Sequence, residues 1–116
     1  MSGLVRIYKA PRLSRKRIRS LVEEATVDAY GEDEQTGGFL VMITDNLPAS
    51  FKALVIGEEV EVVGFDGGDA REGIKAICKR RGRRYKVDVL ALEWPQPPPK
   101  GAEWIEAYRA WVDGGW

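Results

Sequence analysis

The sequence contains no histidine, and Cys78 is its single cysteine. One cysteine cannot close an internal disulfide, and the absence of histidine excludes the usual zinc sites and the histidine-based catalytic dyads. No apolar run approaches the roughly 20 residues that a membrane-spanning helix requires, and the N-terminus lacks the apolar core of a secretory signal. These absences predict a cytoplasmic protein with no membrane partner.

Catalytic motifs are missing as well. The chain has neither a nucleophile elbow nor a glycine-rich phosphate-binding loop. Paired carboxylates can exchange protons with a substrate, but nothing in the sequence indicates a substrate pocket. We therefore expect a protein that is not an enzyme.

An excess of charge is also absent, because 18 basic residues balance 18 acidic ones. The charges are nevertheless segregated along the chain. Residues 6–19 include seven basic and no acidic side chains, residues 23–34 include six acidic and no basic ones, and residues 75–86 are basic again. This segregation is more informative than the neutral total.

Length and composition predict one folded domain at residues 14–116, preceded by a basic segment at residues 1–13. The domain should begin with a helix over residues 14–30, in which Ser14 is the N-cap and Gly31 follows the last turn. A second helix should follow the proline-rich connector at residues 95–99, with one aromatic face that packs on the small barrel formed by the strands between the helices. That face comprises Trp104, Ile105, Tyr108, Trp111 and Val112.

The middle of the chain has the pattern of short strands separated by turns. Glu32–Gly38 is polar and ends in two glycines, so we expect a loop that leads into a strand at Phe39–Thr44. Further strands are predicted at Phe51–Ile56, Glu58–Phe65, Ile74–Lys79 and Tyr85–Leu92. Several short strands with tight turns indicate a mainly β (α+β) fold, a small β-barrel flanked by an N-terminal and a C-terminal helix.

Oxygen ligands for a metal ion concentrate between residues 28 and 45. The candidates are Asp28, Glu32, Asp33, Glu34 and Asp45. Calcium takes about six to eight oxygen ligands and tolerates irregular geometry, so clustered carboxylates beside a glycine-containing turn suit it better than magnesium. Asp45 joins the others only if the predicted strand doubles back beside the loop. The spacing is not that of an EF-hand, and composition alone leaves open a solvated acidic loop that pairs with the basic blocks.

Longer strings in this region resemble a known family. Residues 27–35, Val-Asp-Ala-Tyr-Gly-Glu-Asp-Glu-Gln, are followed by an aromatic and aliphatic run and by Thr-Asp-Asn-Leu at residues 44–47. Together with the Gly-Glu-Glu-Val-Glu-Val-Val string at residues 57–63 and the segment 104–115, they resemble the prokaryotic calcium-binding protein family first known from cyanobacteria. The chain departs from that family at Ser50, where members often have proline, and in its neutral net charge.

The resemblance implies a small SH3-like barrel that binds Ca²⁺ as an intracellular buffer or sensor. The implied ligands are Asp28, Glu32, Glu34 and Asp45, with Asp33 as a further candidate. Calcium is then the main partner, and a protein that responds to the calcium-bound form is a possible second one.

Two alternatives use other residues. A nucleic-acid-binding barrel would use the hairpin tip, whose residues Arg80, Arg81, Arg83, Arg84 and Tyr85 could hold phosphates and stack a base. A solvated hairpin end explains the same residues without a ligand. A protein-interaction module would instead use an exposed cluster of the four tryptophans, which core packing also explains.

Overall fold

The computed structural model describes residues 13–67 and 69–116, and these form an α+β fold. The basic segment predicted at residues 1–13 lies outside the described residues except for Leu13. The described elements are α1 (Arg15–Thr26), α2 (Glu32–Asn46), β1 (Phe51–Val55), β2 (Glu58–Gly67), β3 (Ile74–Arg80), β4 (Arg83–Asp88), a 3₁₀ turn (Val89–Ala91) and α3 (Ala102–Asp113). The predictions of a helix at each end and of strands between them are confirmed at this level.

Helix α1 begins where the sequence predicts and ends four residues earlier. The Ser14 hydroxyl accepts a hydrogen bond from the backbone N–H of Arg17, 3.0 Å away. At the other end Thr26 turns its hydroxyl back to the carbonyl of Val22, Val27 is extended, and Asp28 has a φ of 60°. The predicted end at residue 30 is therefore wrong, because the chain leaves the helical conformation before it reaches Gly31.

Helix α2 replaces both the loop predicted at Glu32–Gly38 and the strand predicted at Phe39–Thr44. Thr36, Phe39 and Ile43 are buried, and their spacing of three and four residues places them on one face of a helix. An alternating strand would have placed Phe39 and Ile43 on one face with Val41 between them, but Val41 is 55% exposed and Thr36 lies on the buried side. The β-branched and aromatic residues are tolerated in the helix because packing outweighs their weak preference for strands.

The three helices pack on one another. Gly38 lies so close to α1 that a Cβ atom there would stand 2.0 Å from the carbonyl oxygen of Ala25. On the other side of α2, the ring of Phe39 lies 5.4 Å from that of Tyr108 and 5.3 Å from that of Trp111. The aromatic face predicted for α3 therefore exists, but much of it packs on helices α1 and α2.

The four strands form an antiparallel sheet in the order β1-β2-β3-β4. Phe51 pairs with Val62, Val62 with Cys78, and Cys78 with Tyr85, so these residues share one face. The described strands form an open sheet, with β1 and β4 as its edges, so the prediction of a mainly β fold with a closed barrel is not confirmed. The strand predicted at Tyr85–Leu92 starts earlier and is shorter, because Asp88 caps the 3₁₀ turn through the N–H of Leu90.

One face of the sheet and the inner sides of the helices form a shared core. The sheet contributes Phe51, Ala53, Val60, Val62, Ile74, Ala76 and Cys78. Trp94, which is 1% exposed, fills the space below β1 and bonds its indole N–H to Glu106 of α3 at 3.0 Å. None of the described helices combines the length and the apolar composition needed to cross a bilayer.

Candidate metal site

The carboxylates predicted as ligands lie at both ends of α2. Glu32, Asp33 and Glu34 occupy its first turn, whereas Asp45 lies in its last turn. At 1.5 Å per residue, the backbone positions of Asp33 and Asp45 are separated by about 18 Å. The prediction that a strand returns Asp45 to the acidic loop is wrong, because a helix carries it away.

Asp28 and the first turn of α2 flank a short connection. Gly31 precedes the helix with a φ of 122°, and it has no side chain with which to cap the first turn. Glu34 provides a side-chain hydrogen bond at this connection, because its carboxylate accepts a hydrogen bond from the backbone N–H of Tyr30 at 2.7 Å. All three carboxylates of the first turn also face the positive end of the helix dipole, which favours negative charge. These side chains therefore stabilise the start of α2, whatever else they do.

A second acidic segment meets the first one. The Oδ1 atom of Asp33 accepts the backbone N–H of Ala70 at 2.8 Å, which ties α2 to the turn between β2 and β3. In that turn the Oδ1 atom of Asp69 accepts the N–H groups of Arg71 and Glu72, each at 3.0 Å. Sequence reasoning missed Asp69 and Glu72, because they are 36 and 39 residues from Asp33 and no local pattern pairs the two segments.

A small cavity of about 260 Å³ lies beside this junction. It is lined by Glu32 and Gln35 of α2, by Ala70 of the turn, and by Trp111 and Val112 of α3. Two residues with side-chain oxygens, Glu32 and Gln35, therefore border a space that a few water molecules or an ion with its water shell can enter.

The chemistry of these donors suits a hard cation, but the observed geometry is incomplete. The side chains of Asp28, Glu32, Asp33, Glu34 and Asp69 are exposed and carry oxygen donors. Within residues 13–67 and 69–116, however, no three acidic or cysteine side chains converge closely enough to hold a metal ion. The helix dipole also opposes a cation at the start of α2, although its half charge is smaller than the formal charges of the carboxylates.

The basic residues of the alternative site surround the turn between β3 and β4. Arg80 forms an ion pair with Glu58 on β2. Arg81 has a φ of 54° at the tip, and Arg83 and Arg84 begin β4. The four arginines are close in the hairpin, but the register places Arg80, Arg83 and the half-exposed Tyr85 on one face of the sheet and Arg84 on the other.

The tryptophans do not form one exposed cluster. Trp94 and Trp104 are 1% and 6% exposed, Trp111 is half-buried against Phe39, and only Trp116 among the four is exposed. Core packing accounts for most of them. Cys78 is also part of the core. Burial raises the pKa of its thiol, which keeps it protonated and disfavours the reactive thiolate.

Comparisons with known proteins add no relative. No protein-family model, curated protein sequence or solved structure matches the chain. The likeness to the cyanobacterial calcium-binding family therefore rests on the sequence strings alone.

Proposed function

We propose that this protein binds Ca²⁺ at the junction of α2 with the turn between β2 and β3. The observation that carries the proposal is the hydrogen bond between Asp33 and Ala70, because it joins two acidic segments that are distant in sequence. The resemblance of residues 27–35 to a calcium-binding family gives independent support. The proposed role is that of a cytoplasmic calcium buffer or sensor.

The ligands of this proposed site differ from the set taken from the sequence. Asp33 and Asp69 each use one carboxylate oxygen for backbone N–H groups, which leaves the second oxygen available. Glu32 and Gln35 line the adjoining cavity and would add a carboxylate and an amide oxygen. Water would complete the shell, as calcium sites commonly allow. Asp28 remains a candidate from the connecting segment, and Asp45 is left out because of its distance.

The affinity should be modest. The carboxylates do not converge without calcium, so binding has to order exposed side chains, and the helix dipole opposes the incoming cation. Open sites of this kind fall at the weak end of the calcium range, with a dissociation constant of about 10⁻⁴ M. Magnesium should compete poorly, because its octahedral shell is rigid and it dehydrates reluctantly.

We propose that the four-stranded sheet is an open form of the small SH3-like barrel that the resemblance implies. An irregular register between Val62 and Gly64 supports this, since such bulges bend a sheet toward closure. A solved structure with calcium would test both the strand arrangement and the ligands.

Calorimetric titration of Ca²⁺ into the protein, with excess Mg²⁺ present, tests the proposal. Asp33→Asn keeps an oxygen that can accept the Ala70 N–H but removes the charge, so we expect calcium binding to weaken at least about tenfold. Asp45→Asn is the matched control, because it makes the same charge change at the other end of the same helix. It should leave the dissociation constant within about twofold.

Two outcomes contradict the proposal. Wild-type protein that takes up no calcium at millimolar concentration has no such site. If Asp45→Asn abolishes binding and Asp33→Asn does not, the ion binds at the other end of α2 and the junction with the β2–β3 turn is not the site.

A further inference from the structure

Strand β4 presents an open edge. It pairs with β3 along Arg83–Asp88, and within residues 13–67 and 69–116 no other segment hydrogen-bonds to its backbone. Five of its six residues are exposed, and Val87 is half-buried. Such an edge offers alternating N–H and C=O groups that match the backbone of another extended chain.

The two sides of β4 have different chemistry. Tyr85 and Val87 pair with Cys78 and Ala76, so they lie on the face of the sheet that carries the core. Beyond the covered part of that face is a groove of about 660 Å³, whose apolar lining includes Val55, Ile56 and Val60. Ile56 is 90% exposed at its rim. Charged residues line the groove as well, namely Glu58, Arg80, Arg81 and Lys86, so Tyr85 and Val87 are continuous with the apolar part of an open groove.

The opposite side and the tip are basic. Arg84 and Lys86 alternate with Tyr85 and Val87, so they lie on the other face of the sheet, together with Asp88, whereas Arg83 lies on the face of Tyr85. Lys86 pairs with Asp66, whereas Arg81, Arg83 and Arg84 form no ion pair within the described part of the chain. These guanidinium groups are accessible to an external anionic group.

The positive charge of the β4 edge indicates which kind of molecule can bind there. β4 itself carries three basic residues and one acidic residue, so a second copy that paired its own β4 with this edge would bring net positive charge to a positive edge, which is unfavourable. A single-stranded nucleic acid would satisfy the arginines but would leave the edge carbonyls facing phosphates. A peptide strand satisfies both the carbonyls and the N–H groups, and its acidic side chains can meet the arginines.

We propose that β4 binds an extended segment of a partner protein in which acidic and apolar residues alternate. The apolar side chains enter the groove beside Tyr85 and Val87, and the acidic ones lie beside Arg84 on the opposite face. The added strand extends the sheet at its open edge. This surface is independent of the proposed calcium site.

Fluorescence anisotropy with a labelled, C-terminally amidated Val-Glu-Val-Glu-Val-Glu peptide tests the proposal, with EDTA present throughout. We expect saturable binding of this alternating peptide. A control peptide with the same residues in the order Val-Val-Val-Glu-Glu-Glu should bind much more weakly. Arg84→Glu should weaken binding of the alternating peptide about tenfold, because it places like charges opposite each other. Tyr85→Ser should weaken it about fivefold through the loss of an apolar contact.

Arg15→Glu on α1 is the matched control, since it makes the same charge change on a different element and should leave binding unchanged. In amide NMR spectra, the peptide should shift the signals of residues 83–88 first. Equal binding of both peptide orders, equal loss with Arg15→Glu, or shifts confined to other elements would overturn the proposal. So would absence of peptide binding together with tight binding of a twelve-nucleotide oligo-dT, which would assign the edge to nucleic acid.

Discussion

The first turn of α2 and the tip of the β3–β4 hairpin are both exposed and highly charged, but their side chains are engaged differently. Asp33 and Glu34 accept backbone N–H groups from Ala70 and Tyr30. Arg81, Arg83 and Arg84 form no ion pair with the described residues. The first turn of α2, called the acidic end below, therefore contributes hydrogen bonds to the fold. The tip of the β3–β4 hairpin, called the basic end, carries three arginines that contribute no ion pair to the described part of the fold.

This difference separates two kinds of surface that look alike in a sequence. Carboxylates that cap a helix and tie down a turn contribute to stability, so their replacement affects folding and any bound ion together. Arginines on an exposed edge can be replaced with little effect on folding, so their replacement reports on a partner alone. The following substitutions test this comparison, beginning with the largest expected effect.

The position of α2, whose first turn is the acidic end, depends on the close approach of α1 and α2. A Cβ atom at Gly38 would meet the Ala25 carbonyl, so Gly38→Ala should force the helices apart and lower the free energy of unfolding by about 3 kcal/mol. Gly37→Ala is the control: no atom lies within 4 Å of its Cβ position, and alanine in a helix should add about 0.5–1 kcal/mol. Urea denaturation measures both. Equal effects of the two substitutions would show that the contact at Gly38 is not tight.

The carboxylate of Asp33 should contribute to stability where Arg83 does not. Asp33→Ala removes the acceptor for the Ala70 N–H and a charge that favours the helix start, which should cost about 1 kcal/mol. Arg83→Ala should change stability by less than about 0.5 kcal/mol. Thermal melts at neutral pH compare them. An equal loss for the two would remove the distinction between the acidic and the basic end.

One exposed ion pair sharpens the comparison through its pH dependence. Lys86 lowers the pKa of Asp66, chiefly by a hydrogen bond to its carboxylate. A folded-state pKa below the unfolded value stabilises the protein above the ordinary pKa of aspartate, and this contribution is lost as the pH falls through the folded-state pKa. Melting temperatures of wild type and Asp66→Asn should therefore differ slightly at neutral pH and converge in acid. A difference that persists in acid would have another cause.

Several helices and turns were predicted correctly because the interactions that define them are formed between residues close together in the sequence. Ser14 starts α1 through its own hydroxyl, and the glycine and arginine residues at the tip of β3 and β4 mark a hairpin that the structure contains. The aromatic spacing in residues 104–111 predicted α3. In each case the deciding interactions lie within a few residues of one another.

The error at α2 also has a physical reason. Phe39–Thr44 is rich in residues that favour strands, and the preceding Gly37 and Gly38 disfavour a helix. A helix forms there because Phe39 packs between helices, and because Gly38 allows the α1 backbone to approach. The spacing of Thr36, Phe39 and Ile43 was the available signal, but it competes with the strand pattern in so short a segment.

The sequence by itself determined the segregation of charge, the absence of histidine and of an internal disulfide, and the elements that local caps and turns define. The tertiary structure decided which charged residues meet. It placed Asp45 about 18 Å from Asp33 along a helix, and it brought the distant turn that contains Asp69 into contact with Asp33 through the N–H of Ala70. Contacts between segments far apart in sequence depend on how the whole core packs, so local residue patterns do not contain them.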